Sequence, residues 1–150
     1  KEDAKEINFT KKLIKEIKKD VAIIRSGGGM SVWKNFKSLG CQAWLVGIEL
    51  LDPALAFDFL QALKFNDKNF IKNLENKIET PFFNEVKKYG WHLFIKSCLE
   101  DCGIMQRDER LPMKALSNKK NKTIKLFMEK LRNNTKKDLG KKYFSKRQIF

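Results

Sequence analysis

The side chains best placed to do chemistry in this chain are lysines gathered at one end. Between Lys114 and Phe150 stand thirteen basic residues: Lys114, Lys119, Lys120, Lys122, Lys125, Lys130, Arg132, Lys136, Lys137, Lys141, Lys142, Lys146 and Arg147. Only Glu129 and Asp138 oppose them, so this segment holds a net +11 of the chain's +14. Lysine outnumbers arginine heavily, which an AT-rich genome also produces, but codon usage does not confine charge to one end. Ammonium groups that displace counterions from phosphates give salt-dependent affinity with little sequence information. Bidentate arginine is the commoner reader of bases, so lysine dominance points to backbone contact. Tyr143, Phe144 and Phe150 lie among the charges and offer faces on which unpaired bases stack. The bland alternative is a solvated helix surface with its aromatics turned inward.

Three other constellations carry less. Val21–Ile24 followed by Gly27, Gly28 and Gly29 has the order of a strand, a phosphate loop and a helix start. It matches neither GxxxxGK[ST] nor GxGxxG, and no second strand is evident, so an interhelical loop is the expectation. Cys98 and Cys102 are one helical turn apart, but His92 falls off their face, Cys41 is distant and no CxxC spacing occurs. Buried thiols are therefore expected, with no metal site and no cofactor. Glu100, Asp101, Asp108 and Glu109 gather near Arg107 and Arg110 as a mixed-charge loop. With a single histidine and scattered carboxylates, catalysis is not expected.

The elements that must position these residues read as helices. Ile7, Thr10, Ile14, Ile17, Val21 and Ile24 alternate by three and four, predicting a first helix across residues 1–25 with lysines 11, 12, 15, 18 and 19 outside. Ser31 is a candidate cap for a short helix with Val32, Trp33, Phe36 and Leu39 inward, ending at Gly40. The most apolar stretch, Cys41–Leu63, is interrupted by Asp52-Pro53, a cap followed by proline. It predicts two core helices, 41–51 and 53–65, meeting at a corner. Asn66-Asp67 opens a helix with Phe70, Ile71, Leu74 and Ile78 inward, and Thr80-Pro81 reads as a fresh start. Gly90 is positioned to split the next helix, and Asp101-Cys102-Gly103 to end it. Residues 104–112 read as a loop, with Pro112 opening a short helical turn. Ser117-Asn118 starts a helix with Ile124, Phe127, Met128 and Leu131 inward, and Thr135 with Asp138 suggests one more.

The resulting fold class is all-α: one compact domain of about seven or eight helices around the pair 41–51 and 53–65, with no strand pattern. Residues 1–112 would form the core and 113–150 a basic helical segment of the same domain. Lys34-Asn35-Phe36 and Lys68-Asn69-Phe70 repeat after 34 residues, so a small solenoid of helix pairs is the alternative. Hydrophobic content of 42% supports a core. A chain opening on lysine suggests a processed or excised protein, no membrane insertion is expected, and three cysteines without framework spacing suggest an intracellular, cytoplasmic or nuclear, setting. The functional expectation is a non-catalytic nucleic-acid-binding module of a replication, transcription or RNA-handling assembly, binding DNA or RNA through the C-terminal basic residues and Tyr143. A helical module for an acidic protein partner is the alternative, and an enzyme the third.

Overall fold

The computed structural model describes residues 4–17, 21–26, 29–45, 47–48 and 53–135. The protein is mostly helical and divides into two compact units, Lys1–Gly47 and Ile48–Phe150.

The first unit begins with α1, Ala4–Glu16, whose stripe residues Ile7, Thr10, Ile14 and Ile17 are half-buried. The helix does not continue to Ile24 as its stripe predicts. Val21 is 55% exposed, and Ile24–Ser26 is a strand, β1. After the glycines comes α2, Met30–Ser38, burying Trp33 and Phe36. Gly29, not Ser31, is its N-cap. Its end is a Schellman turn: Cys41 N–H donates to Phe36 O and Gly40 N–H to Lys37 O, with Gly40 at φ +107°.

The segment expected as a core helix, 41–51, instead carries a strand, β2, Ala43–Leu45. β1 and β2 pair in parallel, with Ile24 opposite Ala43, Arg25 opposite Trp44 and Ser26 opposite Leu45. Gln42 extends the pairing, its N–H donating to Ile23 O and its side chain accepting from Ile23 N–H. The apolar run Val21–Ile24 fits a strand as well as the end of a helical stripe, and the run around Trp44 is likewise compatible with both. The pairing across α2 decides it. One face of the sheet packs on that helix: Trp44 stacks on Trp33 at 4.9 Å, and the Arg25 guanidinium lies 4.5 Å from the Phe36 ring centre. The other face, Ile24, Ala43 and Leu45, is exposed.

The second unit opens with α3, Pro53–Lys64, as Pro53 at the first helical position predicts. It buries Leu55, Asp58, Phe59 and Ala62, and ends on Asn66 at φ +54°. Asp67 caps α4, Lys68–Leu74, accepting from Phe70 N–H at 3.1 Å. Thr80-Pro81 does not start a new helix. The chain runs through a π turn, Glu75–Glu79, directly into α5, Thr80–Tyr89.

Two physical demands meet in that turn. Pro81 has no N–H for Lys77 O and its ring crowds that carbonyl. In addition, Phe70, Leu74, Ile78, Phe82 and Val86 are all buried at four-residue steps. On a regular α-helix each such step rotates the stripe by about 40°. The π turn absorbs part of that drift, with Thr80 N–H donating back to Glu75 O.

Gly90, at φ +82°, separates α5 from α6, Trp91–Asp101. A loop then leads to α7, Asn118–Asn134, capped by Ser117. Residues 111–112 form a turn rather than a helix start. Thr135 is the C-cap of α7, its hydroxyl donating to Leu131 O, and the further helix expected from Thr135 and Asp138 lies outside the described residues. α7 packs on α6 and the π turn. The two Lys-Asn-Phe triplets occupy different places, mid-helix in α2 and the first turn of α4.

Candidate polyanion interface on helix α7

α7 sits on the second unit through Ile124, Met128 and Leu131, all buried. At about 100° per residue, Lys119, Lys122, Leu126 and Lys130 then fall within about 80° of one another on the opposite side. All four are exposed, Leu126 at 57%. Lys120 and Lys114 are exposed as well, at the helix start and in the preceding loop.

Lys125 and Arg132 have a different role. Both hold Asp101 at the end of α6, each at 3.0 Å. Asp101 is buried down to 8% of its side chain between them. Burial pushes its pKa up, but hydrogen bonds from Lys125 and Arg132 outweigh this and leave it below the ordinary value. Next to it, Glu100 accepts from the Arg107 side chain, from Arg107 N–H at 3.4 Å and from Asn121 Nδ2 at 2.7 Å. Desolvation raises its pKa, and these donors again bring it below the ordinary value. Arg107 also donates to Leu116 O and Asn118 Oδ1. Lys96 pairs with Glu109 at 3.1 Å and donates to Asp108 O.

The mixed-charge loop is thus fastened to α6 and α7, and Glu100, Asp101 and Glu109 are neutralised within the fold. Glu129 is exposed and falls within about 20° of Lys122 on α7. Sequence spacing places Lys125 and Arg132 with the other cations. Only the packing of α6 against α7 reveals that Asp101 takes both. Lys136, Lys137, Lys141, Lys142, Tyr143, Lys146 and Arg147, with Phe144 and Phe150, lie outside the described residues. On α1, Lys11, Lys12 and Lys15 are exposed, while lysines 18 and 19 also lie outside.

The cysteines differ sharply. Cys98 is 1% exposed, and burial pushes its thiol up to about 12. Cys102 is exposed, with Arg132 Nη2 3.2 Å from its sulfur. Burial raises Cys41 too, against the opposing charge of Arg25. Thiolate is the reactive form. A maleimide at neutral pH is therefore expected to label Cys102 rapidly, and Cys98 and Cys41 only in denaturant, as read by mass spectrometry of the digested protein. His92 is exposed. Among the described residues no group of histidine, cysteine and carboxylate side chains is arranged to hold a metal, and no helix is long and apolar enough to cross a membrane. No protein-family model matches this chain, nor does any curated protein or solved structure.

Proposed function

We propose that the chain binds polyanions, nucleic acid first among them, through the outward face of α7. One observation supports this most: Lys119, Lys122 and Lys130 share a solvent face around Leu126, while Glu100, Asp101 and Glu109 are engaged in ion pairs elsewhere. The stripe runs from Lys119 to Lys130, about 16 Å of helix, so several phosphates lie within its reach. Such contact is electrostatic and sequence-tolerant, suited to an accessory module of a nucleic-acid-handling assembly. The test is fluorescence anisotropy with single- and double-stranded DNA and RNA across a salt series. Binding that weakens linearly in log–log form with salt is expected. Changing Lys119, Lys122 and Lys130 together to glutamine should lower that slope by about 2–3. Absence of binding at low salt would refute the proposal.

A second reading rests on the β1–β2 pair. Parallel sheets are covered on both faces, and two short strands are not stable by themselves. Here one face is bare, with Ile24 58% and Leu45 64% exposed. This supports a first unit that serves as a βαβ piece of a larger parallel sheet built with further polypeptide. Ligands of open α/β sheets collect beyond the carboxyl ends of strands, and in this chain Gly27–Gly29 and the start of α2 follow β1. Amide hydrogen exchange discriminates: fast exchange at residues 24–26 and 43–45 in this chain fits an incomplete sheet. Protection there at the level of α5 and α6 would count against it.

A further inference from the structure

A groove in the second unit adds a more specific element to the polyanion reading, on which this inference rests. It lies between the π turn with the start of α5 and the outer side of α7, and holds about 230 Å³. Its walls are Pro81, Phe127 and Leu131, with Lys77, Lys130 and Asn134 completing the lining. Leu131 is buried beneath it. Phe127 is half-buried and makes an edge contact with Phe94 at 6.4 Å. The combination of apolar walls, two ammonium groups and one amide is complementary to a flat apolar body carrying negative charge beside it.

We propose that this groove receives one unstacked base of a single-stranded nucleic acid, with the flanking phosphates at Lys77 and Lys130. Phe127 supplies the aromatic surface against which a base packs. Asn134 carries both donors and an acceptor, so it can meet a base edge of either polarity. Ligand pockets for larger molecules run from about 300 to 1,000 Å³, and this volume suits a single ring system instead. A paired base in a duplex is stacked and unavailable, so the groove selects single strands while the α7 stripe does not. The π turn is part of the design: it carries Lys77 and leads into Pro81, and such turns recur at functional sites. Lys130 belongs to both the stripe and the groove, joining the two.

The experiment compares a short oligothymidylate with a duplex of equal length, by anisotropy at one low salt concentration. Lys77→Glu lies off the stripe at an exposed position, and an unchanged urea midpoint is the control that the variant keeps its fold. It is expected to weaken single-strand binding about tenfold, as one phosphate contact is replaced by a like charge, and duplex binding less than about twofold. Lys122→Glu should weaken both probes alike. Asn134→Asp, which sets a like charge in the groove, should reproduce the single-strand loss. If the wild type binds and Lys77→Glu lowers both probes equally or neither, the groove assignment is overturned and the stripe stands. If the wild type binds neither probe, the polyanion reading itself falls.

Discussion

Phe82→Ala is expected to lower the stability of the second unit by about 3–5 kcal/mol, the cost of deleting a fully buried aromatic ring. The residue has no exposed surface and sits at the centre of an aromatic cluster. Phe83 and Phe94 approach it edge-on at 5.3 and 5.4 Å, and Trp91 at 6.4 Å. Each such pair adds about 0.5–1.5 kcal/mol beyond area burial, and alanine forfeits all three. Collapse around the vacancy is restricted, because α5 enters from the π turn and leaves at Gly90, both fixed by backbone demands. Urea unfolding checks this: the midpoint should fall with the slope unchanged. Phe83→Ala, at a half-buried neighbour, should cost distinctly less. Equal effects would mean that the cluster is not centred on Phe82.

The second large effect is expected at Asp101. Replacing it with alanine leaves Arg132 and Lys125 without their shared carboxylate and should cost about 2–3 kcal/mol. Most of this comes from Arg132, whose side chain is 25% exposed, since Lys125 is 55% exposed and readily rehydrated. The same interaction makes stability depend on pH. Asp101 and Glu100 both have folded pKa values below their ordinary ones. In the window between folded and unfolded values the unfolded chain binds more protons, so stability falls as pH falls. The contribution is complete above the ordinary carboxylate value of about 4 and is lost as pH drops below it. Denaturation midpoints at pH 7 and pH 3 should therefore differ more for the wild type than for the Glu100→Gln, Asp101→Asn double variant. That variant should be less stable at pH 7. A pH dependence unchanged by the two substitutions would refute the assignment.

Much of the helical layout is legible in the residues. Pro53 starts α3, Asp67 caps α4, Gly40 and Gly90 end or divide helices, and Ser117 opens α7. These are local signals, because caps and positive-φ turns depend on atoms within a few residues. The stripe Ile124, Met128, Leu131 is legible for the same reason, as period 3.6 requires no partner to be recognised. Thr80-Pro81 misleads because its local signal competes with a longer one. Five buried residues at steps of four, from Phe70 to Val86, hold the helix together through a π turn.

The proposed interface divides similarly. The exposure of Lys119, Lys122 and Lys130 follows from the α7 stripe alone. The engagement of Lys125 and Arg132 by Asp101 does not, since that carboxylate is more than twenty residues away in the chain. Lys77 has no sequence signal linking it to Lys130.

By itself the sequence determined the helical character, the strong C-terminal charge and the inward faces of α4 and α7, because periodicity and capping are short-range. Tertiary structure decided that residues 24–26 and 43–45 are strands, since a parallel pair exists only when two separated segments meet across a helix. It also decided which cations remain available for an external partner. Charge along a chain counts every lysine equally, whereas a folded surface counts only those with no carboxylate packed against them.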